Sequence, residues 1–167
     1  MHVARDPGAI SGVTRSPPML ILALAAATSF DPLRFFAGRT EGRATLNVIL
    51  RRARAVRVHG EGRPQRDGSL VLDQRVEQEG KAATTRAWVL RRVAPGRYTG
   101  TLTDAIGPVT AETQGARLHI RYRTKGKIGI EQWLTLSPDG RSADNRLTAK
   151  RLGITVARLR ETITKLD

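Results

Sequence analysis

The pattern that most constrains the fold is a regular alternation of apolar and polar residues from residue 39 onward. In the stretch GSLVLDQRV, Leu70 and Leu72 fall on one side of an extended chain, and Val71 and Asp73 fall on the other. Successive side chains of a β-strand point to opposite faces, so this period of two predicts a strand with one buried face. Similar stretches recur about every 8–12 residues, as in a β-sandwich or a β-barrel.

The alternating stretches are separated by residues that favour tight turns, because glycine accepts a positive φ and proline presets the turn. The turn positions are Asp67–Gly68, Glu79–Gly80, Pro95–Gly96, Ile106–Gly107–Pro108, Gln114–Gly115, Lys125–Gly126 and Pro138–Asp139–Gly140. No long helical pattern follows residue 38, and closure of a sheet removes its exposed edges. We therefore predict an all-β fold, a single antiparallel up-and-down barrel of about 8–10 strands over residues 30–167.

A short helix is predicted just before the first strand. Asp31 is a helix-capping residue, Pro32 suits the first helical position, and Gly38 ends the segment within about two turns. Phe35 and Phe36 are apolar, so we expect this helix to bury itself on the barrel as a plug.

Residues 1–29 form a distinct segment, predicted to be a secretory signal or a disordered N-terminal segment. An apolar run over residues 19–27 follows Arg5 and Arg15 and ends in three alanines that suit cleavage. A short buried helix is the alternative interpretation of the same run. If the run is a signal, the protein is exported to a bacterial periplasm. The chain has no cysteine, so we expect neither disulfides nor a cysteine-linked lipid anchor.

The net charge is +14, with 29 basic residues, most of them arginine, against 15 acidic ones. Such a charge suits a nucleic-acid or anionic-membrane partner, but arginine is also a common solvated surface residue that covers apolar surface with its stem. The arginines are spread along nearly every strand and aromatic residues make up only 4% of the chain, so nucleic acid is not the expected partner. A solvated arginine-rich surface is the favoured interpretation, and an anionic membrane surface stays open as a partner. The arginine-rich stretch over residues 51–63 is predicted to be a strand with an exposed hairpin end.

Several blocks of the chain resemble a known family, in family order over about residues 30–167. They are FFAG at 35–38, RAW at 86–88, PGRYTGTLTDAIGP at 95–108, EQW at 131–133 and NRLTAKRLGI at 145–154. They resemble a bacterial lipocalin-like (calycin) family that is catalogued as a domain of unknown function. The resemblance implies a barrel and no established activity. Lipocalins proper carry tryptophan two residues after the entrance glycine, where this chain has Thr40.

Candidate site residues come from the predicted strands, and each has a structural alternative. Trp88 lies two residues from Arg86, as either a cation–π pair at a cavity or a packed core tryptophan. Asp104 ends the strand of Tyr98 and either faces a pocket or bonds turn amides. His119 is expected in water among arginines, since its neighbours on that face are Arg121 and Arg123.

Glu131, Trp133, Asn145, Arg146 and Lys150 should come from neighbouring strands. They form either a polar cluster at the barrel mouth, where arginine could clamp a carboxylate or phosphate, or an ion-pair ladder on the outside. The predicted ligand-binding set is Trp88, Tyr98, Asp104, Tyr122, Trp133, Asn145 and Arg146.

The function predicted from these residues is binding of a small apolar or anionic amphipathic ligand, such as a fatty acid or lipid, by a monomer. The chain lacks a phosphate-binding glycine loop, paired metal-ligating histidines and a nucleophile elbow, so no catalytic residue, metal or cofactor is predicted. A barrel enzyme acting on a lipid or small metabolite, through Asp104 or Glu131, is the alternative, as is a surface binder of anionic membranes or other polyanions.

Overall fold

The computed structural model describes residues 29–167, which form one short helix and ten antiparallel strands. The elements are α1 (Pro32–Phe35), β1 (Gly38–Val48), β2 (Arg54–Pro64), β3 (Leu70–Gln78), β4 (Thr84–Ala94), β5 (Arg97–Leu102), β6 (Val109–Gln114), β7 (Arg117–Thr124), β8 (Ile128–Leu136), β9 (Ser142–Arg151) and β10 (Ile154–Lys165). Each strand pairs with the next, and β10 pairs back onto β1 to close the barrel. The predicted all-β, up-and-down barrel is confirmed.

Alternation decides which side chains face inward. In β2, Val56 and Val58 are each 6% exposed, whereas the alternating residues Arg57 and His59 point to solvent. The arginine-rich stretch is therefore a barrel strand, and the arginines that precede it lie in the exposed β1–β2 connection at residues 49–53.

An up-and-down barrel has two ends, because successive connections alternate between them. The connections β1–β2, β3–β4, β5–β6, β7–β8 and β9–β10 share one end, which we call the open end. The other four connections, α1 and the C-terminus share the opposite end, which we call the plugged end.

The plug helix is capped and tied to the barrel as its sequence predicts. Asp31 Oδ1 accepts a hydrogen bond from the Leu33 backbone N–H at 3.0 Å. Lys165 Nζ donates to the carbonyl oxygens of Phe35 and Ala37 at 2.9 and 2.7 Å. The backbone itself packs on β2, where a Cβ at Gly62 would lie 1.8 Å from the Phe36 carbonyl oxygen. Only glycine leaves room for this approach.

The core fills the plugged half of the barrel. Its most buried members are inward-facing residues of the strands together with the plug: Phe30, Phe35, Leu70, Tyr98, Val109, Leu118, Leu134 and Ala143. The Phe30 and Phe35 rings pack with their centroids 5.3 Å apart, and the Phe35 and Phe36 rings with theirs 4.9 Å apart. This end of the interior is packed solid.

The predicted N-terminal segment, and the export that depends on it, lie outside the described residues. The signal or disordered segment at residues 1–29 falls almost wholly on residues that the structure does not describe, so export stays a prediction. In the described part, no helix is long and apolar enough to cross a membrane.

Candidate functional site

Six inward-facing polar side chains lie about halfway along the barrel, one on each of six strands. Each sits next to an apolar inward neighbour on its own strand; in β3, for example, Gln74 follows Leu70 and Leu72. We call this group the polar belt. Its members are Gln74, Arg86, Tyr122, Gln132, Asn145 and Glu161.

On one side of the belt, Gln74 holds two donors. Its Oε1 accepts from Arg86 Nε at 2.9 Å and from Trp88 Nε1 at 2.8 Å. The Arg86 guanidinium carbon lies 5.8 Å from the centroid of the Trp88 ring, in cation–π range. Within residues 29–167, Arg86 forms no ion pair with a carboxylate. Its charge is thus held inside the barrel with hydrogen-bonding capacity to spare.

On the other side, four side chains form a hydrogen-bonded chain. Gln132 Nε2 donates to the Tyr122 hydroxyl at 3.3 Å. Asn145 Nδ2 donates to Gln132 Oε1 at 3.0 Å and to Glu161 Oε2 at 2.9 Å. Asn145 Oδ1 is buried and has no hydrogen-bond partner among the described residues. A buried acceptor without a donor is unfavourable by about 1–3 kcal/mol, so this atom is suited to a donor from a bound molecule.

Glu161 is an acid in an environment that disfavours its charge. Burial raises its pKa above the usual value, and the Asn145 hydrogen bond and the positive charge of Arg86 only partly oppose that effect. Space for the carboxyl comes from β1, because a Cβ at Gly42 would lie 2.0 Å from Glu161 Oε1. The sequence therefore supplies both the acid and the gap that it occupies.

A small cavity separates the belt from the packed core. Its volume is about 50 Å³. The walls are polar on one side and apolar on the other, formed by Phe36, Leu70, Leu72, Gln74, Arg86, Trp88, Leu90, Gln132, Leu134, Asn145, Glu161 and Ile163. A space of this size holds a few waters or a small polar group, and it is too small for an acyl chain.

Beyond the belt, towards the open end, most inward-facing residues are apolar but only half-buried. We call this region the apolar mouth. It comprises Ala44, Leu46, Val48, Val76, Ile128, Ile130, Leu147, Ala157 and Leu159. Val56, Val58 and Ala149 face the same region and are buried. The inward-facing side chains at the open end are therefore mostly apolar and partly accessible to solvent.

Three of the sequence-predicted residues come together at the belt. Trp88 and Asn145 line the cavity, and Tyr122 joins them through Gln132. The Trp88 and Tyr122 rings meet edge to face with centroids 5.6 Å apart and planes at 85°. Trp88 therefore packs in the core and also lines the cavity. It fits both interpretations of its pairing with Arg86, as a cation–π pair at a cavity and as a packed core tryptophan.

Two predicted residues lie at opposite ends of the barrel. Tyr98 is buried at the plugged end, where its hydroxyl accepts from Arg92 at 3.3 Å and Arg92 also pairs with Asp31 at 2.8 Å. Asp104 is exposed in the β5–β6 connection. Burial raises the pKa of Tyr122, and the charge of Asp104 adds to that rise.

The last two predicted residues, Trp133 and Arg146, face outward and are neighbours in the β8–β9 register. Trp133 stacks on the imidazole of His119 with centroids 3.9 Å apart and planes at 6°. His119 Nε2 lies 2.7 Å from Glu131 Oε1. The cluster is a cross-strand arrangement on the outside of the barrel, so it does not contribute to the interior site.

The prediction for His119 is wrong in one respect. It was expected in water, but only 16% of its side chain is exposed, because Trp133 covers one ring face. The covering aromatic came from the next strand, and cross-strand register is not visible in one stretch of sequence.

Gln74, Arg86, Gln132 and Glu161 belong to the belt but were not in the predicted set. The signal was present, because Gln74 and Gln132 alternate in phase with leucines that face inward. A polar residue on an apolar face is the informative observation in such a pattern. The described residues include no group of three His, Asp or Glu side chains that could hold a metal ion.

The fold and the belt together define a class: a small closed β-barrel with a helix plug at one end and a group of polar side chains in its interior. The chain belongs to the family described as "Protein of unknown function (DUF3833)", whose model matches residues 23–165. This confirms the resemblance to a family of unknown function, while the wider likeness to lipocalins and calycins stays a prediction. No curated protein matches the chain in sequence.

Two solved structures are similar to the chain to different degrees. The S-type phycobiliprotein lyase CPES from Guillardia theta is similar with a TM-score of 0.64 and 8% identity, over 81% of this chain and 90% of that chain. A redesigned β-barrel matches with a TM-score of 0.42 and 10% identity, over 81% of this chain and 95% of that one. At these identities the likeness to the lyase shows the fold alone.

Proposed function

We propose that the barrel binds one small amphipathic ligand, with its polar head group at the belt and its apolar part in the mouth. The observation that carries the proposal is that two polar groups lining one cavity each lack one kind of partner among the described residues. Asn145 Oδ1 lacks a donor, and Arg86 lacks an anionic partner among the described residues. Polar groups placed at the end of an apolar opening are typical of ligand sites.

The head group is defined by what the belt offers. It should present an acceptor or negative charge to Arg86 and a donor to Asn145 Oδ1. A protonatable acid such as a carboxyl satisfies both, and its few atoms match a cavity of about 50 Å³. Burial raises the pKa of Glu161, and a side chain that carries less negative charge repels an acidic head group less.

The apolar part has a matching surface. The half-buried residues of the mouth, such as Leu46, Ile130 and Leu159, are apolar surface that a short chain would cover. Removing apolar surface from water contributes about 25 cal/mol per Å². A fatty acid with its carboxyl inward is the simplest ligand of this form.

Fluorescence titration with dodecanoate tests the proposal. The chain has two tryptophans, so Trp133→Phe leaves Trp88, in the cavity wall, as the reporter. We expect saturable change in Trp88 emission, with affinity reduced at least about ten-fold in Arg86→Gln, since a charged hydrogen bond contributes roughly 1.5–3 kcal/mol. Arg146→Gln, on the outer face, is the matched control and should bind as the parent does.

No saturable change with dodecanoate, or equal affinity in the Arg86 and Arg146 variants, would overturn the proposal. Mass spectrometry of a denatured extract of the protein from its native host then identifies the natural ligand. A copurifying single-chain acid supports the proposed head group, and a copurifying ligand without an acidic group contradicts it.

A further inference from the structure

The open end presents large apolar side chains to solvent. They lie in the connections or at the start of β10, and they are exposed by 55% at Ile49, 99% at Leu50, 58% at Ile106, 82% at Leu152 and 64% at Ile154. We call residues 49–53, 79–83, 103–108, 125–127 and 152–154 the open-end rim. Soluble proteins expose single apolar residues routinely, but a cluster at one end of the molecule indicates a contact surface.

The same rim is basic. It holds five basic residues, Arg51, Arg52, Lys81, Lys125 and Lys127, against two acidic residues, Glu79 and Asp104. Arg52 pairs with Glu79 at 2.9 Å, which leaves one acidic side chain among four cations. The surface is therefore apolar at its tips and positively charged around them.

Two of the exposed leucines occupy strained backbone positions. Leu50 has φ 58° and Leu152 has φ 49°, in the left-handed region that crowds a Cβ against the following carbonyl. The three other connections at this end use glycine for positive φ, at Gly80, Gly107 and Gly126, and Lys127 beside Gly126 also has a positive φ. Neither burial nor local conformation favours leucine at these tips, so both features point to a role outside the isolated barrel.

We infer that the open-end rim docks on the surface of an anionic lipid bilayer, with Leu50 and Leu152 entering the interfacial region and the rim cations contacting lipid head groups. Apolar tips surrounded by basic residues match an interface that is apolar inside and negatively charged at its surface. The inference concerns residues other than the polar belt, so it can fail while ligand binding holds. It also sets an orientation, because the apolar mouth would face the bilayer.

Charge and composition favour a bilayer over two macromolecular partners. The rim contains no aromatic residue, and single-stranded nucleic acids are held largely by stacking on aromatic rings. Protein interfaces are enriched in aromatic residues and depleted in lysine, whereas three of the five rim cations are Lys81, Lys125 and Lys127.

Vesicle co-sedimentation tests the inference with vesicles of phosphatidylcholine alone and vesicles of phosphatidylcholine and phosphatidylglycerol in equal parts. The main variant is Leu50→Asn/Leu152→Asn, because asparagine tolerates the left-handed backbone and removes the apolar tips. The matched control is Val93→Asn/Leu166→Asn, which changes side chains exposed by 57% and 48% at the plugged end. Lys125→Gln/Lys127→Gln tests the charges. Thermal melting establishes that each variant is folded.

We expect the parent to bind the mixed vesicles, to bind phosphatidylcholine vesicles much more weakly, and to be released by salt. The double leucine variant should bind at least roughly ten-fold more weakly, and the lysine variant about five-fold more weakly for each charge removed. The control should bind like the parent. Three results would overturn the inference: no binding of the parent, equal binding by parent and leucine variant, or an equal loss in the control.

A heparin column separates a bilayer from a soluble polyanion. The Leu50→Asn/Leu152→Asn variant keeps every charge, so it should elute from heparin at the same salt concentration as the parent. If this variant lost heparin binding and vesicle binding to the same extent, the leucines would not be acting through a bilayer.

Discussion

The two ends of the barrel are built from the same alternating strands and differ in how each is completed. At the plugged end, Phe30, Phe35 and Phe36 seal the interior, and their exposures are 1%, 4% and 8%. At the open end the inward-facing apolar residues are half-buried, and Leu50 and Leu152 point into solvent. One end buries its apolar surface internally, and the other leaves it available.

The charges follow the same division. The plugged-end connections and the helix segment carry acidic residues at Asp31, Asp67, Asp139 and Asp167 and basic residues at Arg34, Arg66 and Arg141. The open-end rim therefore has a basic excess, with five basic and two acidic residues, and the plugged end does not. The comparison teaches that one end supports stability, and we propose that the other supports binding, a separation that is common because binding surfaces need not be the most stable ones.

The strongest test of this division removes one large apolar side chain from each end. Phe35→Ala should lower the free energy of unfolding by about 3–5 kcal/mol, because it opens a cavity in the sealed core. Leu50→Ala removes a side chain that is 99% exposed and should change that free energy by less than about 0.5 kcal/mol. Urea denaturation of both variants measures the difference. Similar losses at the two ends would mean that the open end is also covered in the folded protein.

A second test compares two glycines. Gly62→Ala places a Cβ 1.8 Å from the Phe36 carbonyl oxygen, so the plug must shift, and we expect a loss of about 2–3 kcal/mol. Gly126→Ala, in the β7–β8 connection, meets no atom within 4 Å, and its cost is the positive φ alone, about 1–2 kcal/mol. Denaturant midpoints rank the two. A smaller loss at Gly62 than at Gly126 would show that the plug is not seated as described.

The third test concerns the belt that lies between the ends. The pKa of Glu161 is raised in the folded protein, so its contribution to stability is present below the unfolded value of 4.5 and is lost as pH rises through the folded value. Glu161→Gln should therefore raise the free energy of unfolding at neutral pH, by about 1 kcal/mol, as for relief of one poorly paired buried group. The gain should disappear below about pH 4, where the acid is neutral in both states.

Stability curves of parent and variant across this pH range provide the measurement. Glu79→Gln, in an exposed ion pair on the rim, is the control and should give no gain at neutral pH. A gain for Glu161→Gln that did not depend on pH would mean that packing, and not charge, sets the cost of the acid.

Most of the barrel could be predicted from the sequence, because strand alternation and turn residues are local. The Val56 and Val58 face and the Asp31–Pro32 helix start are examples. The belt could be predicted only in part. Tyr122 and Asn145 were in the predicted set. Gln74 and Glu161 were not, because they meet Trp88 and Asn145 through strand order and register, which join residues far apart in the chain.

Trp133 and Arg146 show the opposite case, in which residues of the predicted set do not face the interior. Their residue types suit a ligand site, and their strands are neighbours, yet the phase of β8 and β9 turns both outward. Phase decides the face of a strand, and a shift of one residue reverses it. Residue type is therefore a weaker guide to an interior site than a polar residue in phase with buried leucines.

The smallest expected effect tests whether the backbone strain at the exposed Leu50 lowers the free energy of unfolding. Leu50→Gly should raise the free energy of unfolding by about 0.5 kcal/mol, since relief of the left-handed strain exceeds the entropy that glycine loses on folding. Ile49→Gly is the matched control, because Ile49 is also exposed but has no positive φ, and this change should destabilise by up to about 1 kcal/mol. Opposite signs in denaturant unfolding would show that leucine at residue 50 is held against the local preference of the chain. If both glycine variants were destabilised alike, the backbone at Leu50 would not be strained in solution. Only the exposure of Leu50 and the surrounding positive charges would then support a role for its side chain in binding.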